Sequence, residues 1–525
     1  MPRDFEAERR KMEKVEEGGE GKRSAQIQEE GGGKRRSTQK SEEGEMGRRN
    51  AEMSREPGME GRGGEGQGTE APEPAGSENQ ITEGVIWKQL LLFFFPILFG
   101  TFFQQLYNTV DAIVVGQFVG KEALAAVGGP TGTLINLLVG FFVGLASGAT
   151  VIISQFYGAK RADKVGYAVH TSVAFSLVCG LGIMVVGILG APSALSMMGT
   201  PKDIMEYAVL YIRIYFVGTI PNLIYNMGSG ILRAVGDSKR PLFFLITGCV
   251  TNIVLDVILV VFWRMGVAGA ALATIFSQTA SALFVVVVLT RTGEMYRLSF
   301  SKIRLDKRML ARIVQIGLPA GLQSVMYSLS NVIIQSSVNS LGTDTIAAWT
   351  AYGKIDSVFW MIINAFGISI TTFVGQNYGA GKMDRVRRGI RECMAMTLVS
   401  AVGLSCVLYH FGFYIFEIFT TDPAVLEKGM EILRFLVPAF FTYVTIEIYS
   451  GALRGIGDSW IPMILTMVGV CILRVVWIVA AVPLRRTITT VVFSYPLTWT
   501  VTTVLFLVYF HGFSRLGRRK GKIVR

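Results

Sequence analysis

An acidic side chain stands inside a long apolar stretch at positions 96–120, which reads PILFGTFFQQLYNTVDAIVVGQFVG. The acid is Asp111, and Gly100, Gln104 and Asn108 precede it at successive spacings of four, four and three. On a helix these spacings place all four residues on one face. An ionisable group costs roughly 2.5–3.5 kcal/mol near the middle of a membrane and therefore normally faces a cavity or a partner. Asp111 is thus our first candidate for a proton or cation site, and the alternative is a polar group that only bonds to neighbouring helices.

The apolar character extends along most of the chain. Half of its 525 residues are hydrophobic and 17% are charged, and apolar runs of about 20 residues, the length that spans a bilayer, recur throughout. An all-α polytopic membrane protein is therefore predicted. We count twelve predicted spans, near 88–114, 131–156, 167–190, 206–227, 241–262, 268–290, 310–338, 352–377, 392–414, 431–450, 460–483 and 488–511.

The connections between the predicted spans alternate in charge. Basic residues gather after spans two, four, six and eight and at the end of the chain, whereas the opposite loops hold few, apart from Arg485 and Arg486. The positive-inside rule then places both termini in the cytoplasm. The net charge of +12 is explained by these loops, so the expected partner is the lipid bilayer and no nucleic acid is expected.

Residues 1–84 differ from the rest in being rich in Gly, Glu, Lys and Arg. This composition predicts a disordered cytoplasmic tail, unless the start codon has been placed too early. The five cysteines lack CxxC spacing and the three histidines are scattered, so we expect no disulfide, no metal site and no catalytic cluster. Neither an enzyme nor a bound cofactor is predicted.

The two halves of the chain repeat one another. GILRAVGDSKRPL at 230–242 returns as GALRGIGDSWIPM at 451–463, and SQFYGAKRADKV at 154–165 returns as GQNYGAGKMDRV at 375–386. Six spans separate the copies, an even number, so the halves share one orientation and form parallel repeats, with substrate expected at their interface. Single residues recur at nearly the same interval: Pro96 as Pro319, Asn108 as Asn331 and Arg213 as Arg434.

These motifs together resemble the MATE family, the multidrug and toxic compound extrusion transporters, in its bacterial form, over about residues 85–512. The resemblance implies twelve helices in two six-helix lobes related by the internal repeat. It divides the chain, after the tail of 1–84, into an N-lobe (85–295), a cytoplasmic inter-lobe loop (296–309), a C-lobe (310–512) and a basic cytoplasmic tail (513–525).

The resemblance also implies a function. Such a protein would export cationic or amphipathic organic compounds from a bacterial cell, across the cytoplasmic membrane, in exchange for H⁺ or Na⁺, by alternating access of the two lobes. The sequence leaves the coupling ion open and predicts a monomer by default. A lipid-linked precursor flippase of the wider superfamily is the alternative; it would need arginine clusters in its cavity to hold pyrophosphate, whereas the intramembrane arginines are Arg213, Arg434 and Arg474.

Several residues match positions that bind the coupling cation in the family. Asp111 matches the acid of the first helix, and Asn252 and Asp256 match the Asn-x-x-x-Asp pair of the fifth. Two such acids repel each other when both are ionised, so they would favour holding a proton, or a Na⁺ ion. We expect that binding to bend helix one near Pro96, where a backbone hydrogen bond is missing, and so to expel substrate. Further matching or neighbouring positions are Asn108, Tyr211, Thr274 and Ser229, the last standing where some members have asparagine.

The second lobe contains a different polar set. Glu447 falls near an acid of sodium-coupled members, but the seventh-helix acid that they pair with it is missing here. We expect Glu447 to pair with Arg474 on a neighbouring helix, as a site or as a register device. A neutral stripe on helix seven either lines a cavity or bonds between helices; it contains Gln323, Tyr327, Asn331 and Gln335.

The LRxxGD loops contribute two further charged pairs at the predicted cytoplasmic turns. Arg233 and Asp237 stand in the first loop, and Arg454 and Asp458 in the second. We expect these residues to fix helix ends and lobe geometry and not to touch substrate.

Overall fold

The computed structural model describes residues 80–517, which contain helices and no strand. Most of the tail predicted over 1–84, and positions 518–525 of the basic tail, lie outside the described residues.

The described part of the chain is built from long helices, as its apolar runs predict. Two of them continue into π-helical turns, at Val257–Phe262 and Met467–Ile472. Short 3₁₀ turns lie at Gln80–Thr82, Phe300–Lys302 and Val437–Ala439. The α-helices are α1 (Ile86–Phe118), α2 (Lys121–Gly128), α3 (Pro130–Gly158), α4 (Ala162–Met197), α5 (Lys202–Val217), α6 (Thr219–Ala234), α7 (Lys239–Asp256), α8 (Gly266–Arg291), α9 (Lys307–Asn339), α10 (Thr343–Gly379), α11 (Met383–Glu417), α12 (Pro423–Leu436), α13 (Phe440–Gly455), α14 (Trp460–Thr466), α15 (Leu473–Ala481) and α16 (Ile488–Gly512).

These helices account for the twelve predicted spans. Within residues 80–517, ten helical stretches are long and apolar enough to cross a membrane, and the pair α5 and α6, bent by 50° at Gly218, makes an eleventh. The remaining predicted span is α9, which has 33 residues. Polar residues such as Gln323, Asn331 and Gln335 interrupt its apolar stretch, and it packs against α3 of the first half.

The two halves meet along α3, α9 and α10, with α1 beside α10. Small residues let α3 and α9 approach each other closely: a methyl group on Gly144 would lie 2.5 Å from the backbone nitrogen of Gly321. Gly148 lies against Gly317 in the same way. Helices in a membrane gain packing and weak polar contacts when glycine allows this approach. Any larger side chain at these positions would push the two halves apart.

The first helix contacts both halves, and Pro96 marks the change. Before it, Leu90 and Phe94 are buried in the core of the second half, where the Phe94 ring stacks on Phe366 with centroids 4.1 Å apart. From Pro96 onward, the helix lines a cavity in the first half. Proline removes a backbone hydrogen bond at this point, so the two segments of α1 can move separately.

The repeated QxYGA motifs join the halves at one end. The Nε2 of Gln155 donates a hydrogen bond to the Gly455 carbonyl at 2.8 Å, and the Nε2 of Gln376 donates to the Ala234 carbonyl at 2.7 Å. Each glutamine therefore reaches the LRxxGD turn of the opposite half. The internal repeat thus produces a pseudo-symmetric pair of hydrogen bonds, which we call the glutamine latch.

The residues just before α1 cover the same end of the second half. Arg385 donates to the carbonyls of Gly84 and Glu83 at 2.7 and 2.6 Å, and Lys382 donates to the Thr82 carbonyl at 3.0 Å. The methyl end of Ile81 lies near Gly236 of the first LRxxGD turn. Together with the glutamine latch, these contacts close the two halves against each other at this end.

Candidate ion-coupling and substrate site

The first half encloses a cavity of about 1040 Å³. The face of α1 with Gly100, Gln104, Asn108 and Asp111 lines it, as the spacing of these residues predicts. Helices α3, α6, α7 and α8 supply further walls, and α10 contributes Lys354 from the second half. The cavity is large enough to receive a drug-sized organic molecule.

Two acids lie beside one another at this cavity. Asp111 lines it and is 8% exposed, whereas Asp256 is fully buried behind the lining. The two carboxylates are within electrostatic range of each other. Asn252, one turn before Asp256, is also fully buried. The structure therefore brings Asp111 of α1 and the Asn252 and Asp256 pair of α7 into one cluster.

The polar atoms of this cluster are short of partners. Asp111 Oδ1, both carboxylate oxygens of Asp256 and both amide atoms of Asn252 are buried without a hydrogen-bond partner among the described residues. Buried polar groups are normally satisfied, and burying a charge is expensive unless it is paired. Oxygen atoms in this number suit a shared proton or a Na⁺ ion, which is hard and prefers oxygen ligands. No group of three or more His, Cys, Asp and Glu side chains that could hold a metal ion occurs between residues 80 and 517.

The other family-matched residues lie at different distances from the acids. Tyr211 is buried within electrostatic range of both Asp111 and Asp256. Thr274 lines the cavity, and its hydroxyl donates to the Ala270 carbonyl at 3.1 Å. Ser229 is buried on α6 but is not part of the cavity lining.

The backbone gives Asp256 an unusual position. It is the last residue of α7, and the chain continues from it into the π-helical turn Val257–Phe262. A π-helical turn is wider than an α-helical one and occurs often at functional sites. The sequence contains no clear signal for this turn.

The charged side chains of the second half pair differently from the prediction. Glu447 pairs with Arg454 at 3.6 Å, so the expected pairing of Glu447 with Arg474 is wrong. Arg454 stands two turns further along the same helix, α13, and its long side chain reaches back to the acid. Arg474 instead lies 4.1 Å from the centre of the Tyr495 ring and within 3.5 Å of the Thr498 hydroxyl.

The stripe on α9 is used in part to join helices. The Tyr327 hydroxyl lies 3.1 Å from that of Tyr443 on α13, which is the interhelical bonding that was one of two predicted roles. Gln323 and Asn331 do not line the large cavity, and a role for them stays a prediction.

Sequence reasoning missed an acid in the second half. Asp356 on α10 accepts hydrogen bonds from the Trp360 indole at 2.7 Å and from the Tyr352 hydroxyl at 3.2 Å. The spacing of these three residues places them on one helix face, so a scan for polar side chains at i and i+4 in apolar runs would have found it.

Arg233 combines two positions. It lies in the last turn of α6, which suits the expected role at a helix end, and it also lines the large cavity. No described carboxylate lies within ion-pairing distance of it, whereas its repeat partner Arg454 has Glu447.

Comparisons with known proteins agree with this architecture. The sequence profile of the MatE family matches residues 96–258 and 319–479, and the two matches begin at the repeated prolines Pro96 and Pro319. The chain therefore belongs to the MatE family, the family that its motifs resemble. The prediction of an all-helical membrane protein with two six-helix lobes is confirmed.

Relatives of known name extend the comparison. The chain is 30% identical to the probable multidrug resistance protein YpnP of Bacillus subtilis (strain 168), over 75% of this chain and 88% of that protein. It is 28% identical to the probable multidrug resistance protein YoeA of the same organism, over 73% and 84% of the two chains. In fold it is similar to a MOP superfamily transporter from Pyrococcus furiosus, with 24% identity and a TM-score of 0.77 over 83% of this chain and 98% of that one. Family and relatives support a multi-pass bacterial membrane protein that acts as a multidrug efflux transporter.

Proposed function

We propose that the protein exports cationic or amphipathic organic compounds in exchange for H⁺ or Na⁺, by alternating access of its two lobes. The observation that carries this proposal is the cluster of Asp111, Asp256 and Asn252, which has unpartnered buried oxygens beside a drug-sized cavity. An acid that can take up a cation next to a binding cavity couples the two ligands, because each changes the electrostatic environment of the other.

The loops at the closed end indicate on which side of the membrane the cavity would open. The glutamine latch lies where the chain carries its basic loops, such as Lys160–Lys164 and Lys382–Arg391, and the positive-inside rule assigns such loops to the cytoplasm. The described conformation would then be closed toward the cytoplasm and outward-facing. Both termini would be cytoplasmic, and the protein would lie in the bacterial cytoplasmic membrane as a monomer.

The coupling step uses the first helix. A cation held between Asp111 and Asp256 would relieve their mutual repulsion and allow the segment of α1 after Pro96 to move toward the acid cluster. That movement would reduce the cavity and release the substrate outward. The segment before Pro96 would stay with the second half, where Phe94 and its neighbours are buried. Neither a covalent step nor a bound cofactor beyond the coupling ion is required.

Transport in liposomes tests this proposal. Purified protein is reconstituted in vesicles loaded with ethidium, and a proton or a sodium gradient is imposed separately while dye movement is followed. We expect one gradient to drive transport, and Asp111→Asn and Asp256→Asn each to abolish it. Asp203→Asn, which changes an exposed acid in the first turn of α5, is the matched control and should leave transport intact.

Two outcomes would count against the proposal. Full gradient-driven transport by both acid variants would remove the coupling role of the cluster. A folded wild-type protein that moves none of a broad panel of cations with either gradient would favour the lipid-linked precursor flippase.

A further inference from the structure

The internal repeat supplies a comparison between two equivalent arginines in one molecule. Arg233 of the first LRxxGD loop corresponds to Arg454 of the second, and the same alignment places Asn226 where the second half has Glu447. In the second half, the acid neutralises the arginine at 3.6 Å. In the first half, the neutral amide of Asn226 cannot do so, and its Nδ2 donates a hydrogen bond to Asn222 Oδ1 at 2.5 Å. The first half thus retains the cation without its internal counter-ion.

This cation faces the substrate cavity and not a helix interface. Arg233 lines the cavity together with Asn222, Tyr225 and Asn226 of the same helix, α6. Those three residues provide amide and hydroxyl groups along one wall that leads to the guanidinium. A charge in a partly desolvated pocket without a partner is costly, and a ligand of opposite charge removes that cost.

The charges around the cavity as a whole are also predominantly basic. The charged side chains in its described lining are Arg233, Lys121 and Lys354 against the single acid Asp111. Lys354 enters from α10, the helix of the second half that borders the cavity. A ligand with only positive charge can be held at the acids but leaves Arg233 without a counter-ion, whereas a ligand that also carries an anionic group would be held at both ends.

We propose that Arg233 binds an anionic group of the transported molecule, a carboxylate or a phosphate, so that the preferred substrates are amphoteric. The planar guanidinium can donate two parallel hydrogen bonds to such a group. The cationic part of the substrate is directed toward Asp111. Arg233 lies in the last turn of α6 and Asp111 lies on α1, so the two charges stand on different walls of the cavity and can engage the two ends of one elongated molecule. This assignment rests on the proposed export function and specifies its substrate class.

A pair of dyes that differ only in the anion tests the proposal. Rhodamine 110 carries a free carboxylate, and rhodamine 123 is its methyl ester. Their equilibrium binding to the full-length protein is measured by fluorescence polarisation in nanodiscs of neutral lipid, without any ion gradient. Because a hydrogen-bonded charge pair is lost, we expect Arg233→Gln to weaken rhodamine 110 binding by about tenfold or more and rhodamine 123 binding by less than about twofold.

Two more variants distinguish a loss of the charge interaction at Arg233 from a loss of folding. Asn226→Glu recreates the internal counter-ion of the second half and should also weaken rhodamine 110 selectively, with Arg233 still present. Arg233→Lys keeps the charge but loses the two parallel donors, so it should retain part of the preference for the acid. Equal affinity of the wild type for both dyes, or an equal loss of both in Arg233→Gln and Asn226→Glu, would overturn the proposal.

The anionic group could also come from a lipid, since a phosphate headgroup offers the same chemistry. Binding is therefore repeated in nanodiscs that contain phosphatidylglycerol. An unchanged affinity for rhodamine 110 supports a dissolved substrate. Loss of rhodamine 110 binding by the wild type would assign Arg233 to a lipid phosphate and overturn the proposal of an amphoteric substrate. The result is independent of coupling: ethidium transport that responds to neither gradient would defeat the proposed function, while the difference between the two dyes would still be measured.

Discussion

Breaking the glutamine latch should open the closed end of the protein. Gln376 is fully buried and its Nε2 donates to the Ala234 carbonyl at 2.7 Å. Gln376→Leu keeps the approximate shape of the side chain and removes the donor, so the carbonyl stays buried and unpaired while the halves are together. When the halves separate, water can satisfy it. The substitution therefore destabilises the closed state relative to the open one.

The size of this shift follows from the burial of the bond. A buried acceptor left without a partner costs about 1–3 kcal/mol, and 1.4 kcal/mol is a factor of ten, so the population ratio should move toward the open state by about 5- to 150-fold. Gln155 is only half-buried, and Gln155→Leu should shift the ratio by about 2- to 13-fold, corresponding to about 0.5–1.5 kcal/mol. The double variant should approach the product of the two factors if the bonds act independently.

Spin labels can measure this population. Labels at Ala162 and Asp384, which are exposed and follow the two QxYGA motifs, report the separation of the halves at the closed end, in a background with the five cysteines replaced. We expect Gln376→Leu to increase the long-distance fraction. Gln335→Leu, whose hydrogen bond to Asn339 lies on an exposed face of α9, is the control and should change nothing. An unchanged distance distribution in folded Gln376→Leu would refute the role of the latch.

Three further changes have defined outcomes. Gly144→Leu should separate α3 from α9 and abolish transport, because a side chain there collides with the Gly321 backbone. Gly182→Leu, with open space around it, should be tolerated, and measuring ethidium transport by the two variants tests both expectations. Trp499→Ala should remove a ring that is 2% exposed at the centre of the aromatic core and destabilise the protein by about 3–5 kcal/mol; an unchanged thermal unfolding midpoint in detergent would contradict that packing. Pro96→Ala should restore a backbone hydrogen bond in α1 and slow ethidium transport while leaving ethidium affinity unchanged; transport at the wild-type rate would rule out a hinge there.

The overall fold could be predicted from the sequence because each relevant signal repeats. Apolar runs of membrane-spanning length give the number of helices, and two copies of each motif give the relation of the halves. The face of α1 with Asp111 could also be predicted, since a helix fixes which residues point the same way. These are properties of single helices or of whole halves, and they can be predicted without knowledge of side-chain contacts.

Partners between side chains were harder to predict. Glu447 was expected to pair across helices with Arg474, whereas its partner is Arg454, two turns further along the same helix. Arg233 stands in the same motif as Arg454, so both were given the same structural role. The difference depends on Asn226, one residue two turns earlier, and on the cavity beside it. Neither effect is visible in hydropathy or in the motif itself.

The most direct test of the central claim, competition between a cation and a drug at Asp111 and Asp256, is the number of protons released when substrate binds. Calorimetric binding of rhodamine 123 in sodium-free buffers of different ionisation enthalpy gives this number, and a repeat with Na⁺ tests the other ion. The account predicts that binding to the wild type releases protons or is weakened by Na⁺, and that Asp111→Asn with Asp256→Asn binds the dye with neither effect. Normal binding by the wild type with no proton release and no response to Na⁺ would contradict it.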